Sequence, residues 1–296
     1  MSDFPAGPPP TGVPAGKVPV LESAAEAWRF ARDNWMRFLP AMGILALGFA
    51  YYQSEITGWT TTPDWGGLAL VGFVYFIASV VAMCAFLRGS TRGEVGDGPG
   101  LNFAMDELRY IAVIVGLSLV IGIVGFFVMF LFSIVFVGMA ARSGVDFEAI
   151  GNDQAAMTEA FIAVMQSGGG LTIGVLGLLI GCLYLWFSVR MSLFLPATIG
   201  EQRMMIFQTW SWTKGNFWPI LGAVLLTLVP VALIGGIIVG FIEIAIVGDE
   251  PYRASALTRF LAYLPNGALT AFTSLLWAGL VGRLYQGLRP RDLPTS

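Results

Sequence analysis

Six long, almost uncharged stretches occupy most of this 296-residue chain. Five of them exceed about 20 apolar residues, the length that a helix needs to cross a hydrocarbon core about 30 Å thick. With 56% hydrophobic and only 12% charged residues, the composition excludes an ordinary water-soluble domain. The sequence therefore predicts an all-α polytopic membrane protein with six transmembrane helices arranged as hairpins. The predicted spans cover residues 38–57, 67–87, 110–141, 169–199, 217–246 and 260–283.

The residue types that the chain lacks limit its chemistry. It contains no histidine, which removes the commonest protein ligand for transition metals and excludes Ser–His and Cys–His catalysis. Its two cysteines, Cys84 and Cys182, each lie inside an apolar stretch, which favours two apolar-facing thiols over a disulfide, and they do not have the spacing of a metal site. We therefore expect no catalytic residues, no metal site, no cofactor and no enzymatic activity.

The two ends of the chain differ in composition from the part between them. Residues 1–20 contain six prolines and three glycines, which favours a disordered or polyproline-like cytoplasmic tail. Residues 21–288 form the predicted membrane domain. Residues 289–296 follow as a second, shorter cytoplasmic tail.

Basic residues are distributed unevenly between the two sides of the six predicted spans. The side that holds both termini carries 13 lysines and arginines, whereas the opposite side carries only Arg142, Arg253 and Arg259. Because short loops rich in basic residues stay in the cytoplasm, this distribution predicts that both termini are cytoplasmic.

The segment before the first span has the pattern of an amphipathic helix that lies flat at the membrane surface. Over residues 23–37, charged residues recur at three- and four-residue steps, and Trp28 and Trp35 lie on the opposite face. Ser23 followed by Glu26 has the spacing of a capping box, which predicts that the helix begins at Ser23. We name residues 23–37 the first elbow, because the chain must turn there from the surface into the first span.

A similar segment precedes the fifth span. Residues 27–40 and 209–222 align without gaps, which predicts an internal repeat of a cytoplasmic-side elbow followed by a transmembrane hairpin. The matched pairs are Trp28 with Trp210, Arg32 with Lys214, Asn34 with Asn216, Trp35 with Phe217 and Leu39 with Leu221. The tryptophans expected to anchor the two elbows in the interface are Trp28, Trp35, Trp210 and Trp218.

Small residues indicate where the helices pack, and loop residues and prolines indicate where they end. GxxxG spacing at 177–181 and 236–240, and a stripe of small residues in the sixth span, predict close helix contacts. Residues 153–166 have the pattern of a short outer helix, which the three glycines that follow are expected to end. Pro196 and Pro230 are expected to bend or end their helices.

Four charged residues inside or beside the spans are candidates for function. Arg190 lies in apolar sequence, where an arginine requires a partner or a polar cavity. One hypothesis is that Arg88, Arg190 and Arg283 contact an anionic lipid headgroup from the cytoplasmic side. The alternative is that all three flank the spans and extend to water. Glu243, near the outer end of the fifth span, is the candidate buried acid of a proton- or cation-coupled site; the alternative, which the sequence favours, is that it lies close enough to the outer interface to be solvated.

Two phrases give the chain a family resemblance. The chain resembles the six-helix membrane domain of bacterial membrane-anchored glycerophosphodiester phosphodiesterases and of related inner-membrane proteins. The segments that carry the resemblance are VRMSLFLPA at 189–197 and SWTKGNFWPILGA at 211–223. In those enzymes the chemistry belongs to a separate soluble barrel domain, which this sequence lacks together with the histidines of its active site. The resemblance implies a non-catalytic membrane module in the bacterial inner membrane.

The sequence leaves two main hypotheses for function open. The first is a non-catalytic integral membrane protein that binds lipid or scaffolds partner proteins of the envelope. The second is a transporter or channel for a small or lipidic solute, which requires a water-filled cavity that reaches Arg190 or Glu243. The expected partners are membrane lipids and other membrane proteins, and not nucleic acid. An intramembrane enzyme acting on lipid is disfavoured because no acid–base pair is clustered.

Overall fold

The computed structural model describes residues 17–58, 65–94, 101, 103–142, 154–248 and 250–290. Within these ranges every regular element is a helix, which confirms the prediction of an all-α chain. The α-helices are α1 (Val20–Asn34), α2 (Leu39–Gly58), α3 (Trp65–Arg92), α4 (Met105–Arg142), α5 (Gln154–Val164), α6 (Gly170–Met191), α7 (Phe194–Gly200), α8 (Thr209–Trp212), α9 (Phe217–Val247) and α10 (Ala256–Leu288).

Five helical segments of the described residues are long and apolar enough to cross a membrane. They are α3, α4, α6 together with α7, α9 and α10. The 28-residue α3 is the shortest of them and still extends about 42 Å. The 20-residue α2 extends about 30 Å, but Gln53 and Glu55 make its second half more polar. The described part of the chain therefore contains five helices compatible with an integral membrane protein, and the sixth span stays a prediction.

The described residues form two compact units, one running up to Val113 and again from Val189 onward, the other comprising Ile114–Ser188. In the first unit α10 is the central helix, and α1, α2, α3, α7 and α9 pack against it. Its contact positions are small: a Cβ placed on Gly267 would lie 2.2 Å from the carbonyl oxygen of Ala46 in α2. The predicted stripe of small residues in the sixth span therefore lies at helix contacts.

The GxxxG segment of α9 does not pack in the way that the sequence suggested. Among the described residues, no heavy atom lies within 4 Å of a Cβ placed on Gly236 or Gly240. The prediction that these two glycines close the helix bundle is therefore wrong, whereas the prediction for Gly177 and Gly181 stays a prediction. The spacing alone permits a close approach but does not determine which face of an apolar helix meets a neighbour.

The first elbow forms a helix, but its start differs from the prediction. α1 begins at Val20, and Pro19 is its N-cap with φ −77° and ψ 102°. Ser23 lies inside the helix and is buried, so it caps no helix start, and the capping-box prediction is wrong. The physical reason is that Pro19 already fixes an extended entry into the first turn, where its missing N–H is not needed.

The folded part of the chain begins before the predicted boundary at residue 21. The Val18 amide donates a hydrogen bond of 3.2 Å to Oδ1 of Asn216, and the Val18 side chain is buried in the same apolar core as Ala27 and Leu284. Burial of an apolar side chain at this point explains why residues 17–20 belong to the fold rather than to the tail. Residues 1–16 and 291–296 of the two predicted tails lie outside the described residues.

The second predicted elbow is much shorter than the first. α8 (Thr209–Trp212) is a single helical turn, too short to present an amphipathic face. Gly215 then adopts a positive φ of 80°, which glycine tolerates without strain, and α9 begins two residues later. The two segments thus share sequence but differ in helix length, and the internal repeat stays a prediction.

Pro196 and Pro230 affect their helices differently. α6 ends at Met191 and α7 begins at Phe194, because Pro196 has no N–H for the carbonyl of Ser192 and its ring clashes with that carbonyl. Pro230 instead lies inside α9, which continues through it. The predicted break at Pro196 is therefore observed, whereas the helix does not end at Pro230.

The second unit contains most of α4 and α6, joined in part by α5. Phe136 of α4 stacks on Phe161 of α5 with ring centroids 6.0 Å apart. The sequence predicted that the glycines after α5 end the helix, and this prediction is wrong. The helix continues into α6 through a π-helical turn over Met165–Gly169. A Cβ on Gly169 would lie 2.7 Å from the carbonyl oxygen of Val164, so glycine is what permits this turn.

Candidate lipid-binding site

A groove lies between the first elbow and the central helix of the first unit. Its volume is about 430 Å³, within the range of small-molecule sites. The ring of Trp28 meets that of Phe272 edge to face, with centroids 6.0 Å apart. We call it the elbow groove and define it by Trp28, Arg29, Ala31, Arg32 and Trp35 of α1 and Phe272 of α10.

The helical period of α1 explains why these side chains share one groove. Residues 28, 31, 32 and 35 follow one another at three- and four-residue steps and so lie on one face. Ala27 and Ala31 are fully buried, which brings the α1 backbone close to its neighbours, whereas Trp28 and Trp35 remain 40% and 41% exposed. The two indole rings therefore form open walls rather than part of a closed core.

Two ion pairs border the elbow groove. Arg29 pairs with Glu26 at 2.9 Å, and Nε of Arg32 donates a hydrogen bond of 2.8 Å to Oδ1 of Asp33. This hydrogen bond lowers the pKa of Asp33 below its ordinary value. The lining of the groove thus combines three aromatic rings with the guanidinium groups of Arg29 and Arg32, a composition that suits an amphipathic ligand.

Arg88 lies in a buried ion network between the end of α3 and the first turn of α4. Its Nη1 donates a hydrogen bond of 2.6 Å to Oε1 of Glu107, which is fully buried. Arg92 and Arg109 both pair with Asp106, which also lies 3.8 Å from Arg88. Acidic residues in the first turn also complement the positive end of the α4 dipole. Carboxylates of the protein therefore balance the charge of Arg88.

Arg190 and Trp210, both predicted site residues, are brought together by the structure. The guanidinium carbon of Arg190 lies 5.0 Å from the ring centroid of Trp210, in the geometry of a cation–π contact. The hydroxyl of Thr213 donates a hydrogen bond of 3.2 Å to the carbonyl of Arg190. These contacts attach the segment of α8 to the end of α6.

The remaining predicted site residues lie apart from the elbow groove. Arg283 pairs with Glu22 of α1 at 3.1 Å. Glu243, half-buried in α9, accepts a hydrogen bond of 3.1 Å from Nδ2 of Asn266 in α10. Trp218 is largely exposed at the start of α9.

The structure therefore groups the predicted residues differently from the sequence. Arg88, Arg190 and Arg283 contact three different elements, α4, α8 and α1. Their role as headgroup contacts stays a prediction. Trp28 and Trp35, predicted only as interfacial anchors, line the same groove.

No protein-family model, curated protein or solved structure matches this chain.

Two features of the structure were not predicted from the sequence. Phe272 lines the elbow groove although it lies far from Trp28 in the sequence, and no local pattern connects the two. Glu201, after α7, is buried and receives hydrogen bonds from Tyr285 and Arg289 at the end of α10. The ion pair between Glu26 and Arg29 could have been predicted from the sequence, because the two residues have the three-residue spacing of a helical ion pair.

Proposed function

We propose that this chain is a non-catalytic integral protein of the bacterial inner membrane that acts by binding membrane lipid at the elbow groove. The observation that carries the proposal is the groove itself, in which Trp28, Trp35 and Phe272 surround about 430 Å³ beside Arg29 and Arg32. Indole rings prefer the boundary between hydrocarbon and water, and a guanidinium group binds phosphate well. Held there, a lipid would let the protein act as a scaffold for envelope partners.

Six spans with both termini in the cytoplasm form part of this proposal. The length of α2, about 30 Å over its 20 residues, supports a sixth crossing. An even number of crossings agrees with the excess of basic residues on the side of the termini. This arrangement would place α1 at the cytoplasmic interface, where the exposed face with Trp28 and Trp35 meets lipid headgroups.

The resemblance to the membrane domain of glycerophosphodiester phosphodiesterases, and the internal repeat, belong to the same proposal. The matched positions Trp28 and Trp210 both lie on helical segments that precede an apolar helix, α2 and α9 respectively. Each tryptophan contacts another element of the first unit: Trp28 meets Phe272 and Trp210 meets Arg190. These contacts support a shared role of the two segments in holding a span at the membrane surface.

Lipid retention by the purified full-length chain tests the proposal. We expect wild-type protein in mild detergent to retain bound lipid in native mass spectrometry, and Trp28→Ala/Trp35→Ala to retain about tenfold less, because the variant loses both aromatic walls. Trp65→Ala is the matched control, since Trp65 is 73% exposed at the start of α3 and lies outside the groove. Equal lipid retention in the double variant and the control, or no retained lipid in the wild type, would contradict the proposal.

A further inference from the structure

The charged part of the groove lining has one sign. Of the described residues that line the elbow groove, two are charged, and both are arginines, Arg29 and Arg32. The carboxylates that pair with them, Glu26 and Asp33, lie outside the lining. A ligand in the groove therefore meets guanidinium groups beside aromatic rings and meets no carboxylate of the lining.

The guanidinium group of Arg32 keeps hydrogen-bond donors for a ligand. Its Nε donates to Asp33, whereas its Nη1 and Nη2 donate no hydrogen bond to any residue that the structure describes. Arg29 is three residues away on α1, so the Cβ atoms of the two arginines are only about 5–6 Å apart. One phosphate group can therefore accept hydrogen bonds from both side chains while the ion pair of Arg32 stays in place.

This lining discriminates between phospholipids by the charge of the headgroup. All of them bring a phosphate, but an ethanolamine or choline headgroup also carries a cation next to it. In the elbow groove that cation would lie close to Arg29 and Arg32, which repel it, with no carboxylate of the lining to receive it. A glycerol headgroup carries hydroxyls and no cation, so its phosphate meets the two arginines without that repulsion.

We propose that the elbow groove selects a phospholipid whose headgroup is net negative, the phosphatidylglycerol class. Its phosphate lies at Arg29 and Arg32, and the first part of an acyl chain lies against Trp28, Trp35 and Phe272. Glu26 and Asp33 weaken this binding because their charges oppose the phosphate from beside the groove. The inference rests on the lipid-binding role proposed above and adds the chemical class of the ligand.

Titration of the delipidated full chain with three lipids tests the inference. Phosphatidylglycerol, phosphatidylethanolamine and phosphatidylcholine with identical acyl chains are added separately, and apparent Kd values are measured by native mass spectrometry. We expect phosphatidylglycerol to bind the wild type about three- to tenfold more tightly than either other lipid, the range for two charges at an exposed site. Glycerol 3-phosphate in large excess should not displace it, because it has no acyl chain for the aromatic rings.

Two double variants change the preference in opposite directions. Arg29→Gln/Arg32→Gln should bring the Kd values of the three lipids to within about twofold of one another, because the charges that discriminate are gone. Glu26→Gln/Asp33→Asn leaves both arginines but removes the opposing charges, so it should tighten phosphatidylglycerol about two- to fivefold further. A merely structural role of these surface charges predicts no gain of binding in any variant.

Matched controls use the ion pair between Glu250 and Arg253, which is exposed and has the same three-residue spacing but lies outside the groove. Glu250→Gln and Arg253→Gln should leave all three Kd values unchanged. Trp28→Ala/Trp35→Ala should weaken the three lipids by a similar factor, because their acyl chains are identical. Circular dichroism and gel filtration in detergent verify that each variant keeps the helicity and the elution volume of the wild type.

Several outcomes would overturn the inference. Equal Kd values for the three lipids in the wild type, or a preference for phosphatidylglycerol that survives in Arg29→Gln/Arg32→Gln, would show that these arginines do not select the headgroup. Tighter binding of phosphatidylcholine would indicate an aromatic cage for its trimethylammonium group. Displacement by glycerol 3-phosphate would indicate a phosphate site rather than a lipid site. A wild type that binds none of the three lipids would refute the lipid-binding role as well.

Discussion

At the scale of single residues, Glu201 shows how a carboxylate is stabilised at the edge of the apolar core. It accepts hydrogen bonds from Nε of Arg289 at 2.5 Å, from Nη2 of Arg289 at 3.1 Å and from the hydroxyl of Tyr285 at 2.6 Å. Burial alone would raise the pKa of Glu201, but the hydrogen bonds from Arg289 and Tyr285 outweigh it and lower the pKa below its ordinary value. The charged form therefore ties the end of α7 to the end of α10.

This lowered pKa predicts how the stability of the chain depends on pH. A group whose folded pKa is depressed stabilises the fold above its unfolded pKa, about 4.3 for glutamate, and loses that contribution as the pH falls through the folded pKa. We expect Glu201→Gln to lower the free energy of unfolding at pH 7 by about 2 kcal/mol, because Arg289 and Tyr285 lose a charged acceptor. The difference from wild type should shrink below about pH 4. Thermal unfolding in detergent from pH 3 to pH 8 measures it.

The control for this prediction is a glutamate on the surface. Glu94→Gln removes a carboxylate that is exposed beside Arg92 and should change stability by less than about 0.5 kcal/mol at any pH in the series. A constant difference between Glu201→Gln and wild type down to pH 3 would show that the ionised carboxylate is not what holds α7 to α10.

At the scale of helices, the packing of α10 against α2 depends on a glycine. A Cβ on Gly267 would lie 2.2 Å from the carbonyl oxygen of Ala46 and 3.0 Å from its Cα, so a methyl group forces the two backbones apart. Overpacking of this kind costs about 1–3 kcal/mol, and a backbone yields less readily than a side chain.

Alanine at two glycines of the apolar helices tests this contact. We expect Gly267→Ala to lower the free energy of unfolding by about 1–3 kcal/mol. Gly236→Ala in α9 should leave it unchanged or raise it by up to about 1 kcal/mol, because open space surrounds that Cβ and alanine favours the helix. Denaturant unfolding in detergent compares the two variants. Equal effects of the two substitutions would show that α2 and α10 do not approach as closely as the structure indicates.

Gly236 and Gly267 also show which part of the fold was predictable from the sequence. Helix positions followed from the lengths of the apolar runs, because in lipid a helix must satisfy its backbone hydrogen bonds internally. The sequence did not determine which helices pack against each other. Both α9 and α10 are apolar around much of their circumference, and an apolar face can contact either lipid or another helix. The elbow groove was half predictable: the face of Trp28 and Trp35 follows from helical period, whereas Phe272 depends on tertiary packing.

At the scale of the whole molecule, the number of crossings determines where the two ends lie. Five helical segments of the described residues are compatible with a membrane crossing, and α2 decides between five and six. Five crossings would place the termini on opposite sides of the membrane, and six would place them on the same side. The proposed cytoplasmic position of the elbow groove depends on this parity.

Fluorescent-protein fusions to each end test the parity in a bacterial host. We expect fusions to both termini to fluoresce, because the reporter matures in the cytoplasm and the 13 basic residues on that side retain both ends there. An alkaline phosphatase fusion after Gly58 should be active, since that position lies at the far end of α2. Fluorescence at one terminus alone would mean that α2 does not cross.

The contact between Gly267 and Ala46 also bears on permeation through the molecule. A Cβ on Gly267 would lie 2.2 Å from the carbonyl oxygen of Ala46, so the gap between the two backbones at this point is too small for a water molecule. A continuous aqueous conduit therefore does not pass between α2 and α10 at this contact. Any solute that crossed the membrane through the protein would have to take another route, or α2 and α10 would have to separate each time a solute passed.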